Sequence, residues 1–184
     1  MDNLFFKLSS LKHLGQNSIV GRTVRIRYPE LVSIGDNCII DDFTYISTSL
    51  TLDGNGHIAA GCQLIGGPNC TVSLGRFSTL APNVVLAAGS DDYVAGIATP
   101  MVPHEFKGNC EYGDIRIGRH CIVGAGSVIL PRVTLHDGSA VGALSLIKQD
   151  LEPWTLYAGI PAQSLKKRDK ETILQLEKRY LDTL

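Results

Sequence analysis

The stretch IGRHCIVGAGSVILPRVTLHDGSAVGALSLI, residues 117–147, carries an aliphatic side chain at every sixth position. These positions are Ile117, Val123, Ile129, Leu135, Val141 and Ile147. A period of six matches neither the 3.6-residue period of an α-helix nor the two-residue alternation of a plain strand. It matches a strand that turns a corner every six residues.

The same step of six occurs in the N-terminal half of the chain. After a shift in spacing it continues at Leu74, Leu80 and Leu86. Short repeats of fixed period indicate a solenoid, and three six-residue faces would make one coil of about eighteen residues. The N-terminal series comprises Ile34, Ile40, Ile46, Leu52, Ile58 and Leu64, and an earlier fragment with the same step comprises Leu14, Val20 and Ile26.

Small residues recur at two fixed places in each repeat. Glycine or alanine often follows the aliphatic residue, as at Gly35 and Gly118, and a small residue stands four positions after it, as at Cys38, Cys121 and Ser127. One large and one small side chain per face would fill a narrow triangular prism, and glycines near the corners can adopt the turn conformations. The sequence therefore predicts an all-β solenoid, a parallel β-helix of hexapeptide repeats.

The composition excludes several classes of protein. The 17 basic and 18 acidic residues leave a net charge of −1, whereas phosphate neutralisation by a nucleic-acid-binding surface needs a positive excess. The five cysteines are odd in number and form no C-x-x-C pair, so neither a disulfide framework nor a zinc knuckle is indicated. We expect neither a signal peptide nor a membrane-spanning segment, and we expect a cytoplasmic location.

We expect a single domain over residues 1–184. Its predicted parts are an N-terminal cap (1–13), the β-helix coils (14–88 and 115–154), a long protruding active-site loop (89–114), and a C-terminal tail and helix (155–184).

The C-terminal residues predict a short amphipathic α-helix. Ile173, Leu176, Tyr180 and Leu184 recur at steps of three and four, and Asp169 is a suitable N-cap. We expect this helix to cover the open end of the prism or to dock on a neighbouring subunit.

Three motifs resemble those of the hexapeptide-repeat acyltransferases: residues 117–131, Val141-Gly142-Ala143, and residues 157–162 with their A-G-x-P-A ending. Over residues 14–168 the chain is similar to galactoside, maltose and surface-polysaccharide O-acetyltransferases. The resemblance implies a left-handed β-helix and a homotrimer without a metal. It also implies direct acyl transfer from acyl-CoA, expected to be acetyl-CoA, to a hydroxyl or amino group of a sugar or nucleotide-linked amino sugar.

His104 is the candidate general base. The resemblance implies a catalytic histidine in a loop at this place, followed by Glu and an apolar residue, as in His104-Glu105-Phe106. Neutral imidazole suits the removal of a proton from an acceptor near pH 7. Glu105 could orient the imidazole. If His104 is only a loop residue, the base is to be sought at His57 or at the Asp91-Asp92 pair.

Asn83 and the pair Asp91-Asp92 are the candidate acceptor-binding residues. The resemblance implies that Asn83 contacts the acceptor sugar, and an amide can both donate to and accept from sugar hydroxyls. Asp91 and Asp92 open the loop and could bind an ammonium or hydroxyls. Alternatively, Asn83 is there only for its turn geometry, and Asp91 and Asp92 are solvated acids of the loop.

The resemblance places the coenzyme along the C-terminal coils, between subunits. Its pantetheine arm would contact small residues one coil apart, and the Ala125 N–H would stabilise the oxyanion. Basic residues would meet the phosphates, although Leu144 and Gln163 depart from the family's usual residues. The predicted coenzyme-binding residues are Gly124, Ala125, Gly142, Ala143, Lys148, Lys166 and Arg168.

Two other functions share this fold. A γ-type carbonic anhydrase holds zinc with three histidines, but the chain has no H-x-x-x-x-H spacing. A non-catalytic β-helix scaffold would lack the long loop. The sequence leaves open the identity of the acceptor, the choice between O- and N-acylation, and the acyl chain length.

Overall fold

The computed structural model describes residues 3–184 and consists almost entirely of short strands. The strands are β1 (His13–Leu14), β2 (Ile19–Val20), β3 (Arg25–Ile26), β4 (Val32–Ile34), β5 (Ile39–Ile40), β6 (Tyr45–Leu52), β7 (His57–Ile58), β8 (Gln63–Leu74), β9 (Thr79–Leu80), β10 (Val85–Ala87), β11 (Gly89–Ser90), β12 (Glu111–Tyr112), β13 (Ile115–Ile117), β14 (Ile122–Val123), β15 (Val128–Ile129), β16 (Thr134–Leu135), β17 (Ala140–Val141), β18 (Leu146–Ile147), β19 (Thr155–Gly159) and β20 (Ala162–Lys167).

The strands wind into a parallel β-helix with three faces, as the repeat predicts, and the winding is consistent with the left hand that the family resemblance implies. The first face contains β1, β4, β13 and β16, and the second contains β2, β5, β7, β9, β14, β17 and β19. The third contains β3, β10, β15 and β18. Strands β6 and β8 pass from the third face to the first without a break. We call the edges the first corner (first to second face), the second corner (second to third) and the third corner (third to first).

The aliphatic residues of the six-residue step form the core. Ile34, Ile40 and Ile46 of one coil have no exposed surface, and Ile129 and Leu135 of a later coil have none either. Full burial of such a side chain contributes about 1.5–3 kcal/mol. The stacked coils thus stabilise one another through continuous columns of aliphatic side chains.

The small inward residues link neighbouring coils by hydrogen bonds as well as fitting the narrow section. The Ser78 hydroxyl donates to the Gly118 carbonyl at 2.6 Å and accepts from the Cys121 amide at 3.0 Å. The Cys121 thiol is itself buried and donates to the His136 carbonyl at 3.3 Å. These inward positions therefore require a small residue. A hydroxyl or thiol at such a position also forms hydrogen bonds with backbone groups of the next coil.

One α-helix occurs among residues 3–184, α1 (Lys170–Leu181), and the Asp169 carboxylate caps it by accepting from the Thr172 amide at 3.0 Å. The expectation that it covers the open end of the prism is wrong. Glu177 pairs with Arg119 and His120, so the helix lies along the first corner of its own coils. A hairpin of β19 and β20 extends the second-face sheet at the C-terminal end of the prism.

Aromatic side chains line the first corner beneath α1. The His120 ring stacks on Phe77 with centroids 5.2 Å apart and lies 6.0 Å from the Trp154 ring. Tyr180 meets Phe77 edge to face and its hydroxyl bonds to Asn55. The helix therefore docks on these aromatic rings at the first corner and not on the open end of the core.

The N-terminal segment packs against the first coil. A 3-10 helix spans Leu8–Ser10, and the Asn3 amide donates to the carbonyls of Gly21 and Val24 at 3.0 and 2.8 Å. The first two residues of the predicted cap lie outside the described residues. No helix between residues 3 and 184 has the length and apolar character needed to cross a membrane.

Candidate functional site

The long loop leaves the prism at the third corner, on a short antiparallel pair. β11 and β12 pair through Gly89 with Tyr112 and Ser90 with Glu111, and the coils resume at Ile115. One coil earlier, the step from Leu64 to Leu74 is four residues longer than the repeat and bulges beneath the loop. Loop and bulge enclose a recess of about 600 Å³. It is lined by Gly66, Gly67, Pro68, Asn69, Cys70, His104 and Tyr112.

His104 lies at this recess with its imidazole exposed. It begins a 3-10 helix, His104–Phe106, whose last bond runs from the Lys107 amide to the His104 carbonyl at 3.0 Å. Within residues 3–184 no side chain bonds to the imidazole, and Glu105 is exposed and does not contact it through a hydrogen bond. The structure of one chain thus places His104 beside a recess without fixing its ring.

The predicted acceptor acids differ in their surroundings. The Asp92 carboxylate accepts from the amides of Val94, Ala95 and Asn109 at 2.8, 3.0 and 2.9 Å. Hydrogen bonding, from the Asn109 amide first, lowers the pKa of Asp92. Asp92 therefore holds the loop's shape, whereas the neighbouring Asp91 is exposed and its carboxylate accepts no hydrogen bond within the described chain.

Asn83, Ala125 and Ala143 stack along the second corner, one coil apart. The Gly126 amide donates to the Pro82 carbonyl at 3.0 Å, and the Leu144 amide to the Ala125 carbonyl at 2.9 Å. The amides of Ala125 and Ala143 have no acceptor among residues 3–184. Two free N–H groups at the surface of successive coils can bind carbonyl groups of an extended ligand, or an oxyanion.

The glycines of this corner are required by the fold itself. A Cβ on Gly124 would lie 2.6 Å from the Gly142 carbonyl carbon, and a Cβ on Gly142 would lie 2.9 Å from the Ala158 Cβ. Contacts this short are repulsive, so the close stacking of coils explains both glycines.

The basic residues do not converge. Lys148 and Lys166 are exposed near the C-terminal end of the prism. The Arg168 guanidinium donates through Nη1 to the carbonyls of His120 and Gly138, both at 2.7 Å. It therefore lies at the first corner, away from the free amides of Ala125 and Ala143.

Sequence reasoning missed the surroundings of the other histidines. His57 bonds to the Asp41 carboxylate at 2.9 Å on the second face. The pairing register aligns His57 with Ile19 and Ile39 of the two preceding coils. A polar residue at a position that is isoleucine in those coils is the signal that the sequence offered. His120 bonds to Glu177 and is nine-tenths buried, so it serves to dock the helix.

No group of three His, Cys, Asp or Glu side chains able to hold a metal ion occurs in the part of the chain that the structure describes. The five cysteines are unpaired. Burial raises the pKa of the Cys62 and Cys121 thiols to about 11, so both stay protonated and belong to the core.

Comparison with known proteins identifies the family. No protein-family model matches the chain. The dTDP-4-amino-4,6-dideoxy-D-glucose acyltransferase of Escherichia coli is 34% identical over 182 residues, which cover 96% of this chain and 92% of that protein. The galactoside O-acetyltransferase of Escherichia coli K12 is 29% identical over 143 residues, covering 75% and 66% of the two chains.

A solved N-acyltransferase, AntD from Bacillus cereus, has the same fold along its whole length. A variant of AntD in complex with dTDP-4-amino-4,6-dideoxyglucose and coenzyme A superposes with a TM-score of 0.92 and 31% identity, covering 99% of both chains. AntD with dTDP and 3-hydroxybutyryl-CoA gives 0.91 and 32%, covering 98% of both. With the repeat, the A-G-x-P-A ending and the free corner amides, this similarity shows that the chain belongs to the hexapeptide-repeat acyltransferases.

Proposed function

We propose that the protein transfers an acyl group from acyl-CoA to the amino group of a dTDP-4-amino-4,6-dideoxyhexose. The observation that carries the proposal is the end-to-end similarity to two acyltransferases of that acceptor, at 34% and 31% identity. The galactoside enzyme covers less of the chain at lower identity, so a nucleotide-linked amine is favoured over a sugar hydroxyl. Acetyl-CoA is the proposed donor.

The second corner is the proposed coenzyme site. The pantetheine arm would run along Gly124-Ala125 and Gly142-Ala143, because the free amides of Ala125 and Ala143, one coil apart, can donate to its carbonyl groups. The Ala125 N–H would also stabilise the oxyanion that forms when the thioester is attacked. Lys148 and Lys166, which are both exposed, would meet the phosphates, whereas Arg168 already donates to two backbone carbonyls.

The proposed active unit is a homotrimer. The His104 recess opens at the third corner and the free amides lie at the second, so one chain does not bring the base to the thioester. A loop from the adjacent subunit would supply His104, with Glu105 or a partner residue orienting the ring, and Asn83 and Asp91 would hold the acceptor. Light scattering at micromolar concentration should give three times 19.9 kDa, and a monomer would contradict the arrangement.

His104 is the proposed base for the attacking nitrogen. Neutral imidazole would take the proton that nitrogen loses in the tetrahedral intermediate and pass it to the departing sulfur. His104→Ala should lower turnover about 10²–10⁴-fold at neutral pH while coenzyme A binding stays unchanged. The matched control is His13→Ala, an exposed histidine of β1 at the opposite end of the coils.

The direct test measures product formation with purified protein and acetyl-CoA. dTDP-4-amino-4,6-dideoxyglucose should gain one acetyl group by mass spectrometry, and a simple galactoside should gain none at equal concentration. Transfer to the galactoside alone would overturn the proposed acceptor. Near-wild-type turnover of His104→Ala would remove His104 from the mechanism and leave the acceptor assignment intact.

A further inference from the structure

The outward side chains of the second face form one column with a polar interruption. The pairing register aligns Ile19, Ile39, His57, Thr79, Ile122, Ala140 and Leu156 in successive coils. Ile39 and Ile122, on either side of the interruption, are 38% and 43% exposed. An apolar column on a subunit surface gains nothing from an imidazole and a hydroxyl at its centre unless they meet a polar group.

Three side chains in successive coils are linked by hydrogen bonds at this interruption. Asp41 Oδ2 lies 2.9 Å from His57 Nε2, and Thr79 Oγ1 lies 3.3 Å from His57 Nδ1. An ionised carboxylate only accepts, so Nε2 carries the ring proton and Nδ1 offers a lone pair to the Thr79 hydroxyl. The three groups form a carboxylate–imidazole–hydroxyl series with its outer end at Thr79.

Asp41 is the charge that faces His57 from the adjoining coils. The neighbouring Asp42 turns to the preceding coil, where its carboxylate accepts from the Thr23 amide and hydroxyl at 2.8 and 2.7 Å. The imidazole is 42% and the Asp41 side chain 45% exposed, so both are accessible from the second face. The pair is thus arranged to stabilise a proton arriving at Nδ1.

The series borders the corner proposed to hold the acceptor. The Asn83 amide oxygen reaches back over Gly61, in the same coil as His57. Thr79 lies four residues before Asn83 in the next coil, and adjacent coils are separated by about 4.8 Å. The hydroxyl end of the series therefore lies on the second face, in the same coil as Asn83, and that face adjoins the second corner where Asn83 is located.

We propose that Thr79, His57 and Asp41 form a proton relay that deprotonates the acceptor ammonium. This inference rests on the proposed function, since only an amine acceptor arrives with the additional proton. Thr79 is the catalytic residue that touches the nitrogen, and His57 and Asp41 are positioning residues that act through it. The relay is separate from His104 and serves a different proton.

The proton balance requires two acceptors. The ammonium gives one proton to Thr79 Oγ1 as the hydroxyl proton moves to His57 Nδ1, and Asp41 stabilises the imidazolium. The free amine then forms the C–N bond to the thioester carbon and the C–S bond breaks. The second nitrogen proton passes through His104 to the sulfur, giving the amide and the free thiol of coenzyme A. The imidazolium releases its proton to water before the next turnover.

The test compares Thr79→Val with Thr79→Ser, because valine keeps the shape and serine keeps the hydroxyl. With acetyl-CoA and dTDP-4-amino-4,6-dideoxyglucose at pH 7, Thr79→Val should lower kcat about 10²-fold and Thr79→Ser only a few-fold. The Thr79→Val loss should shrink as the pH rises to 9, since the amine then arrives without its additional proton. His57→Gln should behave like Thr79→Val.

Each outcome decides between the relay and a structural role. Coenzyme A affinity by calorimetry, subunit mass and melting temperature should stay unchanged in Thr79→Val. Wild-type turnover of Thr79→Val at pH 7, or a loss that is equal at pH 7 and pH 9, overturns the relay while the acyltransferase activity stands. An inactive wild-type protein overturns the proposed acceptor and the relay with it.

Discussion

Ser127→Ala should destabilise the coils that carry the proposed coenzyme site by about 1–3 kcal/mol. Ser127 has no exposed surface, and its hydroxyl donates to the Gly142 carbonyl at 2.9 Å and accepts from the Ser145 amide at 3.1 Å. The Gly142 carbonyl keeps a second donor, the Ser145 hydroxyl, also at 2.9 Å. The Ser145 amide loses its acceptor. The expected cost is therefore that of one unpaired buried amide and not of two lost bonds.

Thermal unfolding followed by circular dichroism at fixed protein concentration measures this cost. For a chain of this length, 1 kcal/mol shifts the melting temperature by about 2–4 °C, so the midpoint should fall by roughly 2–12 °C. Ser10→Ala is the control, because the Ser10 hydroxyl is exposed and donates only to the Lys7 carbonyl. If Ser127→Ala melts at the wild-type temperature, the inner hydroxyls do not hold the coils together and the reasoning fails.

Two further predictions concern the coenzyme corner and the helix. Ala143→Trp covers the free amide there, so calorimetry should show coenzyme A binding lost while the subunit mass is unchanged. Burial opposes ionisation of Glu177, but the hydrogen bond from His120 and the charge of Arg119 outweigh it and lower its pKa. The stabilisation of α1 by Glu177 is therefore complete above the ordinary Glu pKa of about 4.3 and is lost as the pH falls through the depressed value. Trp154 fluorescence should change in that acid range in the wild type, and in Glu177→Gln the change should be absent.

The fold was predictable because its period is unlike that of any other secondary structure. A step of six between Ile117 and Ile147 fixes which side chains point inward, and each of these residues is buried as predicted. The inter-coil role of Ser78 and Ser127 was not readable, because the sequence distinguishes size but not the direction of a hydroxyl. The amphipathic pattern of α1 likewise gives a face but not the surface on which it packs.

The candidate site was predictable in its parts and not in its assembly. His104 was located by its loop and Ala125 by its motif, and both remain proposals. The distance between the third and second corners depends on the width of a coil, which no local pattern encodes. The link from Asp41 to His57 was also invisible, because residues sixteen positions apart become neighbours only once the length of each coil is known.

The positions of the corners restrict how subunits can assemble into a complete site. If two chains met through the same edge, loop would face loop, or free amide would face free amide, and neither pairing joins His104 to Ala125. A head-to-tail contact places the third corner of one prism against the second corner of the next. Such contacts form an open filament unless the rotation between neighbours closes a ring. Parallel prisms related by a rotation of about 120° close a ring after three copies. The separation of His104 from the free amides is therefore compatible with the proposed trimer, in which each site would be shared by two subunits.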